Sequence, residues 1–238
     1  MQKVLQKNTK YLLLLFCFSI APAKYKKNAI CFNTIHADLG CKIRPHKNKD
    51  SLNYTEGLVG FMFQLQEIVK EKNFKKLVNV VAQDVTVSYG EAIYGKSKFK
   101  EYWRDINNQE LLWEILQRML TLGGDNYKYQ NQNAFIFPYL KNERFYYGVK
   151  KEWFNLAVIT DSAVPLYDDS NHKLLESLSY DIVEITDHSE PGLSKISTIC
   201  GNKKGWVQDD KLYTCIDYTM ILLKDKNKIW KIKVLSTD

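Results

Sequence analysis

Covalent chemistry in this chain would fall to cysteine, because the sequence contains no G-x-S-x-G, H-E-x-x-H or glycine-rich phosphate loop. The pairing on offer is Cys200 with His188 or His172. A cysteine nucleophile needs an imidazole beside it, a third group to orient that imidazole, and a setting that favours thiolate, such as a helix N-terminus. Here the flanking residues read as short strands, so no catalytic residue is assigned and the chain is read as a non-enzyme. Cys31, His36, Cys41 and His46 recur every five residues and carry donor types that zinc selects. Zinc sites place at least one ligand pair closer together on a tight turn, so no metal and no cofactor are expected. Asp168 and Asp169 lack a carboxylate or histidine at motif spacing for acid–base work. They read as the outside of a turn, or alternatively as a ligand rim.

The elements that must position these residues begin with an export signal. "MQKVLQKNTK" is a positive flank, and "YLLLLFCFSIAPA" is a short apolar run ending in Ala21-Pro22-Ala23, which together read as a cleavable signal peptide over 1–23. The run is shorter than the roughly 20 residues a spanning helix takes, so no transmembrane span is expected after cleavage. Lipidation at Cys17 is the alternative, but Phe16 stands where a small residue is wanted. The reading places the protein outside the cytoplasm, periplasmic or secreted.

Cleavage leaves Cys31, Cys41, Cys200 and Cys215, an even number suited to two bridges in an oxidising compartment. Pairing 31 with 41 and 200 with 215 is the simplest of the three connectivities. Of the net charge of +7, the leader holds Lys3, Lys7 and Lys10 and no acid, so +4 remains without it. Only Arg44, Arg104, Arg118 and Arg144 offer planar forks for phosphate, and no lysine-rich block carries interleaved aromatics. No nucleic-acid partner is expected.

Residues 24–50 read as a polar linker, and 51–144 as a helix-rich domain. Leu58, Phe61, Met62, Leu65, Ile68 and Val69 share one helical face. Asn73 is positioned to cap a helix carrying Phe74, Leu77, Val78 and Val81, "DVTVSYG" alternates as a strand, Ser97 and Asn108 are further caps, and Gly123-Gly124 is a stop. A small cone of helices packed on a curved sheet is the alternative for this part. From about 145 to 238 the texture changes to short alternating runs: "FNLAVIT", "AVPLY", "LLESLSYDIVEIT", "LSKISTIC", "KGWVQ", "YTMILLK" and "IWKIKVL". That spacing predicts a small antiparallel barrel, with "KDKNK" as a hairpin turn.

"AVPLYDDSNHKLLESLSYDIVEI", "GWVQDDKLYTCIDY" and "MILLKDKNKIWKIKVLSTD" resemble the bacterial SH3-like family, and within it a group of exported bacterial SH3 domain-containing proteins. Gly205, Trp206, Val207, Ile216, Asp217, Tyr218, Trp230, Lys231 and Asp238 stand at the group's steps. "VSYG", "KEYW", "LTLGG" and "PYL" match it more loosely. The resemblance implies an α+β chain, a helix-rich domain followed by an SH3-like barrel with a C-terminal hairpin. It also implies a non-catalytic binding module for a peptide, peptidoglycan or an envelope protein. Tyr167, Asp168, Asp169, Trp206 and Tyr213 would form its recognition surface. Leu193 stands where the family carries Trp, which removes one wall of an aromatic groove. Cys215 stands where the family carries Pro, which favours its pairing with Cys200. A structural protein of the envelope without a wall ligand is the alternative, and a cell-wall cysteine peptidase the third.

Overall fold

Two open sheets organise the chain. The computed structural model describes residues 41–43, 57–88, 93–143, 152–168 and 173–237. The signal peptide, most of the linker, Cys31, His36, His46, Asp169 and His172 lie outside them.

Helices come first, where apolar residues recur at three and four. Helix α1 (Leu58–Lys70) buries Leu58, Phe61, Leu65, Ile68 and Val69. Helix α2 (Phe74–Val80) is capped by Asn73, whose side chain accepts from the amide of Lys76 at 3.0 Å. Val81, expected on that helix, instead opens strand β1 (Val81–Ser88), where Val85 and Val87 point into the core. After β2 (Ile93–Tyr94) comes α3 (Lys96–Tyr102), whose N-cap is Gly95 rather than Ser97. At φ 99° Gly95 adopts a backbone few other residues take, and the helix starts two residues earlier than a Ser97 cap would place it. Helix α4 (Ile106–Leu122) runs to Gly123, which has φ 79°. Asn108, expected as its cap, lies inside it and donates to the carbonyl of Tyr102 at 2.9 Å.

Strands β3 (Asp125–Tyr129) and β4 (Gln132–Phe137) follow, then the short α5 (Leu140–Glu143). The next seven strands are β5 (Leu156–Ile159), β6 (Val164–Tyr167), β7 (Leu174–Leu178), β8 (Ile182–Asp187), β9 (Leu193–Thr198), β10 (Lys204–Gln208) and β11 (Leu212–Thr214). The chain closes with β12 (Thr219–Lys224) and β13 (Trp230–Ser236).

The first sheet has the order β2-β1-β13-β12-β4-β3, with β1 and β13 parallel and Val81 opposite Ile232. The helices pack on it around Phe99, Trp103, Leu112, Leu116, Phe135, Phe137, Met220 and Leu235, all nearly or fully buried. Each such side chain contributes about 1.5–3 kcal/mol on burial, which makes this cluster the main source of stability in the first half.

The second sheet has the order β11-β5-β8-β9-β10-β6-β7. Its core face carries Ala157, Ile159, Leu166, Val183, Ile185, Ile196 and Val207. Its terminal strands, β11 and β7, are not paired with each other, so the sheet stays open. The expected SH3-like barrel with its own C-terminal hairpin is therefore corrected. The hairpin β12–β13 forms as read, with Asp225 accepting from the amides of Asn227 and Ile229, yet it is built into the middle of the first sheet. Trp230 is buried among the helices there. The helix-rich first half is likewise corrected: its helices cover one large sheet, to which the last two strands of the chain belong.

Cys41 is bonded to Cys200, not to Cys31, and Cys215 is a buried thiol outside the disulfide rather than the partner of Cys200. Local spacing favoured short loops, whereas the bridge that forms spans 159 residues. It straps residues 41–43 against the second sheet. There Ile43 donates to Tyr180 O at 2.9 Å, Cys41 O accepts from Ile182 at 2.8 Å, and Lys42 meets Asp181 at 3.2 Å.

Candidate binding surface

Tyr167 and Trp206 are direct partners across β6 and β10. The pairing extends in both directions. Lys195 on β9 is opposite Trp206, Asp187 on β8 is opposite Lys195, and Leu174 on β7 is opposite Tyr167. Because side chains alternate along a strand, this row of five stands on the face opposite Ile196 and Val207. Lys195 Nζ sits 5.6 Å from the centre of the Trp206 ring, within cation–π range. Trp206 is only 7% exposed, while Tyr167 and Lys195 are half-buried and Leu174 is exposed.

The close fit of these strands depends on Gly205. A Cβ there would lie 2.3 Å from the carbonyl oxygen of Tyr167 and 2.9 Å from the Leu166 side chain. Beside the row, Asp168 closes the β6–β7 hairpin: its amide donates to Lys173 O at 3.0 Å, and its carboxylate accepts from the Lys173 amide at 3.2 Å. At the other end, the hydroxyl and amide of Ser189 donate to the Asp187 carboxylate, and this hydrogen bonding holds Asp187 below the usual carboxylate range. Lys203 pairs with Glu176, whose hydrogen bond raises the lysine above its ordinary value.

Tyr213 does not join the row. It is buried on β11, packed with Ile43, Tyr139, Leu140 and Cys215. It also lines a cavity of about 50 Å³ with Arg118, Met119, Leu122, Pro138 and Asp217. Arg118 reaches from α4 to donate to the carbonyl of Leu212 and lies 3.7 Å from the Asp217 carboxylate, which also accepts from the Thr214 amide at 2.8 Å. The cavity is lined by an ion pair and apolar side chains.

Sulfur nucleophile chemistry at Cys200 is blocked by its disulfide. His188 hydrogen bonds through Nδ1 to Ser194 Oγ at 2.9 Å, and Ser194 donates its single proton to Asp209 at 2.5 Å. The Ser194 hydroxyl is thus directed at Asp209 rather than held toward the imidazole as a nucleophile would be. Among the described residues no group of three or more His, Cys, Asp or Glu is arranged to hold a metal ion. Among the same residues no helix is long and apolar enough to cross a membrane.

Sequence reasoning missed Lys195, Asp187 and Leu174 because only strand register brings them beside Tyr167 and Trp206. It missed the role of Arg118 because Leu212 is 94 residues away.

No family model matches the chain, and no curated protein matches its sequence. Among solved structures it is similar to a candidate ketosteroid isomerase from Shewanella frigidimarina, at 8% identity and a TM-score of 0.31 over 77% of this chain and 96% of that one. It is also similar to a candidate calcium/calmodulin dependent protein kinase II association domain from Xanthomonas campestris. That match has 12% identity and a TM-score of 0.27 over 84% of this chain and 96% of the other. No function is taken from likenesses at these scores.

Proposed function

We propose that the protein is a non-catalytic, extracytoplasmic binding protein, exported by its N-terminal leader, whose second sheet recognises a peptide or a cell-wall component. The observation that carries this is the Lys195–Trp206–Tyr167 row. Tyr167 and Lys195, each half-buried at the surface with Trp206 packed beside them, offer apolar ring area and a charge to carbohydrate rings, peptide groups and carboxylates alike. The Cys41–Cys200 bridge supports the oxidising setting, since such bonds persist outside the cytoplasm.

The test is co-sedimentation of the secreted protein with purified insoluble cell wall across a salt series, beside Tyr167→Ala and Lys195→Glu. Salt-resistant sedimentation lost in both variants is the expected result. No sedimentation, or binding that salt abolishes equally in all three proteins, would contradict it.

A further inference from the structure

The row of side chains ends at a sheet edge. Strand β7 is terminal in the second sheet, and among the described residues nothing pairs with its outer side. An unpaired strand presents a line of amide and carbonyl groups that another extended chain can satisfy. Natural edges are commonly guarded by proline, charge or brevity. β7 has five residues and no proline, and it displays Leu174 at 55% and Leu175 at 51% exposure. Leu175 is the extra residue of a bulge, since Leu166 faces Glu176 while Tyr167 faces Leu174.

Charge narrows what fits. Glu176 is already answered by Lys203, and Asp168 is occupied in closing the hairpin. The ammonium of Lys173, exposed where β7 begins, has no hydrogen-bond or ion-pair partner among the described residues. A second copy of this edge answers Lys173 poorly, because its acids Glu176 and Asp168 are already engaged by Lys203 and by the hairpin turn.

We propose that β7 is a docking edge for an extended peptide bearing apolar side chains and a carboxylate, which adds as one further strand to the second sheet. This rests on the binding reading above and names its ligand class. Backbone hydrogen bonds would supply affinity, Leu174 and Tyr167 would contact alternate side chains, and Lys173 would meet the carboxylate.

The probe is a fluorescein-labelled peptide alternating valine and threonine and ending in two aspartates, titrated into the secreted protein by anisotropy, with hydrogen exchange read on the bound state. Saturable binding is expected, with the amides of 174–178 slowed roughly tenfold or more and no change at the edge strands β2 and β3. A peptide N-methylated at alternate amides should fail to bind, one with lysines for the aspartates should bind several-fold more weakly, and Leu174→Asp should weaken the parent peptide. Absence of saturable binding overturns the proposal. So does protection of β7 that grows with protein concentration in peptide-free samples, because the occupant is then a second copy. Wall binding by the parent protein without saturable binding of the peptide removes the edge proposal and leaves the binding face standing. Absence of both in the parent removes both.

Discussion

Gly205 brings β10 so close to β6 that a single added carbon would lie 2.3 Å from the carbonyl oxygen of Tyr167. The obstacle is backbone, which cannot swing aside as a side-chain tip could. This contact keeps Trp206 in register with Tyr167 and so keeps the row continuous.

Gly205→Ala should therefore lower stability by about 1–3 kcal/mol, the range for overpacking a tight site. The measurement is a urea midpoint with an unchanged slope. An alanine variant as stable as the parent would mean that the two strands part easily and that the row is not fixed.

The Cys41–Cys200 bridge closes a loop of 159 residues, for which chain entropy alone sets a stabilisation of about 5 kcal/mol. The double variant Cys41→Ser with Cys200→Ser should lose up to that amount. Non-reducing peptide mapping should recover 41 joined to 200. Cys215, buried at 2% exposure, should resist alkylation in the native protein and react once denatured. Rapid native labelling of Cys215 would contradict its packing against Tyr213 and Ile43.

Arg118 ties α4 to β11 through the Leu212 carbonyl, and its Nε is buried without a hydrogen-bond partner among the described residues. Arg118→Met should cost about 2 kcal/mol, as for loss of a hydrogen bond from a charged donor. Hydrogen exchange should quicken at 212–214 more than in the β1–β13 pair. Equal change in both places would show that Arg118 does not act locally at this junction.

Asp84 pairs with Lys233 at 2.6 Å, joining strand β1 to β13. The hydrogen bond from Lys233 holds the Asp84 carboxyl below its ordinary 3.8, despite slight burial. A carboxylate depressed on folding stabilises the native state above its unfolded value, and the contribution fades as pH falls through the folded one. The pair is largely exposed, so it is worth less than about 1 kcal/mol. Asp84→Asn should lower the urea midpoint slightly at pH 7, and the difference from the parent should close once the pH falls well below 3.8. A difference that persists in acid would assign the effect to packing.

Local chemistry was legible in the sequence to the extent that neighbours in the chain decide it. Asn73 caps α2, Val85 and Val87 share the core side of β1, the "KDKNK" turn forms, and the alternating runs form strands, with "LLESLSYDIVEIT" divided into β7 and β8. Association between distant segments was not legible. Nothing near Trp230 announces that β13 pairs in parallel with β1 some 150 residues earlier, because hydrophobic alternation is the same in either sheet. The strands β3 and β4 were also missed, since "NYKYQNQNAFIF" carries polar residues on its exposed half. At the surface, the pairing of Tyr167 with Trp206 brought two expected residues together, whereas Tyr213, equally aromatic, went into a core. Residue type alone could not tell an outward from an inward aromatic.

The most direct test of the binding face is lysine acetylation and oxidative footprinting of the secreted protein with and without cell wall, read by mass spectrometry. The account predicts protection of Lys195 and Tyr167 in the bound state, with Lys231 and Lys233 on the first sheet unchanged. Protection confined to the first sheet, or none at Lys195 and Tyr167 under conditions where the protein sediments with wall, would contradict it.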